Sequence, residues 1–161
     1  MKALTITGHG GPEKLVLREQ PDPVAGPGEA LVRVRAAGVN FADVMARAGL
    51  YPDAPKPPCV VGYEIAGVVE AVGEGVDEVA VGDRVLGGTR FGGYAEAVAT
   101  PANALVPLPE GWSFEEGAAF PVNYATAYAA LLRYGALHPG ERVLIHAAAG
   151  GVGIAATKIP K

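Results

Sequence analysis

The chain has 161 residues, half of them apolar, with 13 Lys plus Arg against 17 Asp plus Glu and a net charge of −4. That composition excludes an intrinsically disordered chain, and an acidic balance without a basic cluster argues against a nucleic-acid or acidic-membrane partner. The single cysteine, Cys59, excludes an internal disulfide and a cysteine-rich zinc site. In chain order, residues 3–6 and 15–17 are short apolar runs either side of a glycine-rich turn. The proline-rich stretch 21–28 is a rigid loop. Residues 30–36 alternate, Val32 and Val34 on one face and Arg33 and Arg35 on the other, which predicts a half-buried strand. Residues 40–47 have helical spacing, with Phe41, Val44 and Met45 on one side, Asn40 as N-cap and Gly49 as stop.

A loop follows through residues 51–58. Strands are predicted over 64–72, 83–86, 93–99 and 104–106, separated by glycine turns. Many short strands of this kind form a small barrel or sandwich. The texture changes after Pro109. Ser113 to Glu116 matches a capping box, residues 122–134 predict a helix ended by Gly135, and residues 141–146 predict a strand. That strand enters Ala147-Ala148-Ala149-Gly150-Gly151-Val152-Gly153, and residues 154–159 begin another helix. Strand, glycine loop and helix are the opening of a dinucleotide fold. No run approaches ~18 apolar residues and no signal-peptide pattern is present, so a soluble, cytoplasmic protein without a membrane span is expected.

Two groups of residues carry chemistry. Gly150, Gly151 and Gly153 sit where a strand gives way to a helix, where missing side chains and free N–H groups accept a pyrophosphate. Alone, G-G-x-G reads first as a tight turn packing helix on strand; the apolar strand before it shifts the reading towards cofactor binding. The second group is Asn40, Asp43, Tyr51 and Glu64. Local pattern gives them ordinary roles: an N-cap, a first-turn carboxylate, a loop aromatic and a solvated strand-end charge.

The run Asn40-Phe41-Ala42-Asp43-Val44-Met45-Ala46-Arg47-Ala48-Gly49-Leu50-Tyr51 resembles the medium-chain dehydrogenase/reductase superfamily, as do Gly62-Tyr63-Glu64-Ile65-Ala66-Gly67, Gly82-Asp83-Arg84-Val85, Gly92-Gly93-Tyr94-Ala95-Glu96, Thr126-Ala127 and the glycine loop. The nearest branch is similar to the zinc-independent quinone oxidoreductases, among them homologues of the vesicle amine transport protein. The resemblance implies a mostly β, GroES-like barrel over residues 1–120, followed by the truncated start of an α/β Rossmann domain over residues 121–161. It implies NADPH-dependent hydride transfer to a quinone or an α,β-unsaturated carbonyl. Asn40 matches an asparagine near the nicotinamide, Tyr51 a catalytic-cleft tyrosine and Thr126 a threonine near the nicotinamide or phosphate. Gly150, Gly151 and Gly153 match the phosphate loop. Met45 departs from the tyrosine many quinone reductases carry.

Zinc-dependent relatives place Cys where Asn40 stands and His where Tyr63 stands, and a catalytic zinc needs three protein ligands. His9, His138 and His146 lack ligand spacing, so no metal is expected. Without a Lewis acid, hydrogen-bond donors, Tyr51 first, take over polarisation of the acceptor. Family members run to roughly twice this length, and Pro160 breaks the last helix. A fragment inactive by itself is therefore expected; the alternative is a non-catalytic remnant serving as a binding or assembly module. A lone strand at residues 141–146 leaves open edges, which predicts a homo-oligomer in which a second copy covers them.

Overall fold

The structure, a computed structural model, describes residues 1–159. The apolar runs around the first turn pair as β1 (Lys2–Ile6) and β2 (Leu15–Glu19), antiparallel, with Lys2 opposite Glu19 and Ile6 opposite Leu15. β3 (Glu29–Ala37) follows the predicted alternation. Ala30 and Val32 are fully buried, while Arg33 spans the outer face to Glu70 in a bidentate pair at 2.8 and 3.1 Å. Both partners are solvated, so this pair adds little stability.

α1 (Phe41–Ala48) starts and stops where the sequence predicts, with Asn40 as N-cap and Gly49 left-handed at φ 79°. Its buried face is not the expected one. Phe41 is 76% exposed and Val44 40%, and the helix turns Asp43 and Ala46 inward instead. The cause is polar: Asp43 finds its hydrogen-bond donors on the inner side, and a carboxylate so satisfied outweighs the apolar stripe in setting the rotation of this short helix.

β4 (Cys59–Val60) has no local pattern that predicts it. It exists because Thr5 and Ile6 of β1 offer it a ladder. β5 (Glu64–Val72), β6 (Arg84–Gly88), β7 (Ala97–Pro101) and β8 (Leu105–Pro107) complete the strands. They form a five-stranded sheet ordered β7-β3-β5-β6-β8, beside a three-stranded sheet ordered β2-β1-β4. The strand predicted over 93–99 is divided. Its first half joins the two sheets through an Ala3–Ala95 bridge, Leu4 N–H donating to the Tyr94 carbonyl at 2.8 Å; only its second half enters β7. Val32, Ile65, Val69, Val85, Val98 and Leu105 are buried together as the main core. α2 (Phe114–Ala118) is capped as predicted, Ser113 Oγ accepting from Glu116 N–H at 3.1 Å and Glu116 Oε2 accepting from Ser113 N–H at 2.8 Å.

The chain divides into two compact units, Met1–Ala119 and a second from Phe120 onward. In the second, α3 (Pro121–Tyr128) runs on into a π-helical segment, Ala129–Tyr134, capped by Gly135. α4 (Gly151–Lys158) packs on α3 through small residues, with Ala127, Ala155 and Ala156 buried against one another. Residues 141–146 do not form the predicted strand. Among the described residues no strand pairs with them, and a strand exists only by pairing. The open edges that a second copy was expected to cover are therefore not formed. Pro160, expected to stop the last helix, lies outside the described residues. No helix of the described residues is long and apolar enough to cross a membrane.

Gly67, in the middle of β5, is a glycine by necessity: a Cβ there would run into the Arg33 carbonyl of β3 and lie 2.8 Å from Val32 Cγ1. Gly67→Ala should lower the unfolding free energy by about 1–3 kcal/mol, the usual cost of overpacking. The check is the urea midpoint; one equal to that of the parent chain contradicts this close packing.

Candidate functional site

The site grows from Asp43, at the third position of α1 and only 5% exposed. Its Oδ2 accepts from the Asn40 N–H at 2.8 Å and from the Tyr94 hydroxyl at 2.8 Å; its Oδ1 accepts from the Gly62 N–H at 3.1 Å. One carboxylate thus ties the start of α1 to the turn before β5 and to the segment before β7. Burial first, then the bond to Asp43, push the Tyr94 phenol well above the ordinary tyrosine range. Gly62, at φ 105°, adopts a backbone conformation that suits glycine, and a Cβ there would strike the Tyr94 ring 2.7 Å away.

Next to this clasp, Glu64 opens β5 at 1% exposure, and its Oε1 accepts from Asn40 Nδ2 at 2.8 Å. Glu64 is therefore an interior carboxyl group, not the solvated strand end expected from local pattern. Tyr63 is held by Thr89, whose N–H donates to the Tyr63 carbonyl and whose hydroxyl donates to the Gly62 carbonyl, both at 2.7 Å. The Tyr63 ring stands edge-on to Tyr51, centroids 6.0 Å apart, and tilted against Phe91 at 5.4 Å. Its hydroxyl is buried without a hydrogen-bond partner, and burial, with Tyr51 the next influence, pushes it up to about 12. Asn40 and Tyr51, predicted as a pair, are thus connected through Glu64 and Tyr63, which follow one another in the chain.

In the second unit, Gly150 and Gly151 are exposed at the start of α4, with Gly153 buried behind them. The Gly150 N–H closes a turn onto the Ala147 carbonyl at 2.9 Å. Gly151 leaves room for the Asn123 side chain of α3, and Gly153 for the backbone of Ala147 and Ala148. Both readings of the loop thus meet here: two of the glycines serve packing, and the N–H groups opening the helix have no acceptor one turn earlier within it. Thr126 lies exposed on α3.

A groove of about 670 Å³ borders the other side of the clasp in the first unit, lined by Asp43 and Tyr94 together with Leu4, Leu15, Leu17 and Val44 among others; Asn40, Tyr51, Tyr63 and Glu64 do not line it. It accounts for the exposed Val44, and Lys2, Arg35, Arg47 and Glu96 bring charge to its lining. Among the described residues no three His, Cys, Asp or Glu side chains are grouped to hold a metal ion. Cys59 donates to the Pro55 carbonyl at 3.4 Å, and burial pushes its thiol up, away from the thiolate a ligand needs. Sequence reasoning missed Tyr94 and Thr89 as parts of the site. The available signal was Glu64 itself, a lone charge at the head of an apolar strand, which needs buried partners.

Tyr63→Phe removes an unsatisfied buried hydroxyl, a group that costs about 1–3 kcal/mol, and should raise the urea midpoint. The folded chain holds this proton to about pH 12 against 10.0 ordinarily, so its contribution is complete below pH 10 and lost as pH rises towards 12. Phe at this position should flatten that decline. A lowered midpoint at neutral pH would mean the hydroxyl has a partner after all.

Residues 26–110 match the family model of the alcohol dehydrogenase GroES-like domain. The chain is 50% identical over 161 residues to the synaptic vesicle membrane protein VAT-1 homolog of Danio rerio, covering 99% of this chain and 33% of that protein. Among solved structures, the human VAT-1 homolog-like protein superposes with a TM-score of 0.95 at 42% identity, covering 99% of this chain and 52% of that one. The quinone oxidoreductase of Thermus thermophilus does so with a TM-score of 0.85 at 46% identity, covering 99% and 49%. The chain spans between a third and about half of these relatives' lengths. With its two antiparallel sheets, its capped α1 and the strand-poor glycine-loop unit that follows, it belongs to the alcohol dehydrogenase GroES-like family, in the quinone oxidoreductase branch of the medium-chain dehydrogenase/reductase superfamily.

Proposed function

We propose that the chain is part of an NADPH-dependent reductase of quinones or α,β-unsaturated carbonyls that works without a catalytic zinc. The observation carrying this reading is the exposed Gly150–Gly151 start of α4 in a chain of an oxidoreductase family. There the N–H groups of Gly151, Val152 and Gly153 open a helix, and no side chain at Gly150 or Gly151 obstructs an approaching pyrophosphate. The Thermus quinone oxidoreductase has been crystallised with NADPH, which supports the same cofactor here. When bound, NADPH supplies the hydride.

On this reading the chain's own residues divide the remaining work. Asn40 and Thr126 position the nicotinamide end. Tyr51 donates a hydrogen bond to the acceptor oxygen as negative charge develops. Tyr63 and Phe91 back Tyr51 with apolar surface and keep water from the reacting atoms. Asn40 and Tyr63 occupy the positions that hold zinc ligands in zinc-dependent relatives, which supports polarisation by donors. A lone half-buried cysteine agrees with a reducing compartment such as the cytoplasm.

In the whole protein, Tyr51→Phe should lower kcat by ~10²–10³ with little change in the KM for NADPH. Asn40→Ala should do the reverse, and turnover should survive dialysis against a chelator. The 161-residue chain alone should show no turnover and at best millimolar NADPH binding. Its glycine loop has no parallel strand beside it among the described residues, so little of the entropic cost of binding is offset. Full turnover after Tyr51→Phe would make Tyr51 a wall of the pocket; turnover abolished by the chelator would overturn the zinc-free chemistry.

A further inference from the structure

The second unit carries a residue that no motif singled out, Asn123, at the third position of α3. α4 packs on that helix through Ala127, Ala155 and Ala156. The Asn123 side chain reaches the start of α4: a Cβ at Gly151 would collide with Asn123 Oδ1 and lie 2.9 and 3.0 Å from its Cγ and Nδ2. A Cβ at Gly153 would run into the backbone of Ala147 and Ala148, whereas one at Gly150 would meet only the Ala147 carbonyl oxygen, 3.3 Å away. The three glycines therefore differ in what they make room for. Gly153 admits the backbone of its own turn, Gly151 admits a side chain from α3, and Gly150 leaves open space.

Two properties of Asn123 matter there. Its bulk fills the Cβ space of Gly151, which limits how the first turn of α4 tilts on α3. Its neutrality leaves that turn uncharged: the first turn of α4 holds no acidic residue, and its N-cap, Gly150, makes no side-chain hydrogen bond. A carboxylate at the same place would act as a built-in anion on the positive end of the helix. We propose that Asn123 is a positioning residue of the glycine loop, whose amide takes the place of a Gly151 side chain, sets the line of the first turn of α4 and keeps it free of negative charge for the phosphates of a dinucleotide. The phosphate half of this inference rests on the cofactor reading given above; the packing half does not.

A reversal of sign tests the packing half. Ala is favoured over Gly within a helix, so Gly151→Ala stabilises the first turn of α4 unless Asn123 stands in the way. The Ile154 N–H, which donates to the Gly150 carbonyl at 2.8 Å, reports on that turn. In the 161-residue chain, Gly151→Ala should speed hydrogen exchange at Ile154, measured by nuclear magnetic resonance. In an Asn123→Ala background the same change should slow it, a strong non-additivity. A change in the same direction in both backgrounds would mean that Asn123 does not hold the loop, and would overturn the positioning role. The isosteric Asn123→Asp tests the phosphate half. A carboxylate at the start of a helix favours the helix and repels a phosphate, so Ile154 exchange in the 161-residue chain should be no faster. In the whole protein, NADPH followed by its fluorescence should bind about tenfold more weakly, with kcat little changed at saturating NADPH. NADPH bound as tightly by Asn123→Asp as by the parent would overturn the phosphate half. A reversal at Ile154 together with a parent whole protein that binds no NADPH would uphold the positioning role and overturn the cofactor reading instead.

Discussion

The hydrogen bonds converging on Asp43 constrain the rest of this structure. A carboxylate taken out of water is tolerated only when donors replace its hydration. Here those donors come from three places far apart in sequence: the Asn40 N–H, the Gly62 N–H and the Tyr94 hydroxyl. Meeting them fixes how α1 is rotated, which brings Ala46 against Ile6 and Val61 and leaves Val44 outside. It also fixes where β5 begins, and with it the positions of Tyr63 and Glu64. The site is a consequence of satisfying one buried charge.

Around that clasp the chain accepts local costs that a purely structural barrel avoids. The Tyr63 hydroxyl is buried without a partner, Glu64 sits inside a sheet, and Gly38 and Gly62 give up side chains to admit Glu64 and Tyr94. Elsewhere in the same unit the rules are ordinary: alternating Val and Ala form the core, and charged pairs such as Arg33–Glu70 stay in solvent. Departures from good packing chemistry concentrate where a ligand is proposed, as expected of a functional surface.

Much of the fold was legible because its signals are local. The alternation around Val32 and Arg33 gave β3, Asn40 and Gly49 gave the ends of α1, and the Ser113–Glu116 box gave the start of α2. What was not legible depends on partners distant in the chain. Cys59 and Val60 form a strand only because β1 lies beside them, and residues 141–146, apolar enough for a strand, form none for want of a neighbour. The same distinction runs through the site. Asn40, Tyr51 and the glycine loop came from motif; the burial of Asp43 and Glu64 did not, because the donor from Tyr94 lies 51 positions from Asp43. Local pattern made Asp43 a first-turn carboxylate, and the structure retains that role while adding the two long-range bonds that matter more.

The most direct measurement is urea unfolding of Asp43→Asn. The substitution keeps shape, but whichever end of the new amide carries hydrogen confronts either the Gly62 N–H or the Asn40 N–H and Tyr94 hydroxyl together. At least one buried donor then faces another donor, and unfolding free energy should fall by about 2 kcal/mol or more. A loss within ~0.5 kcal/mol, the range of ordinary surface substitutions, would contradict the claim that this carboxylate organises the unit.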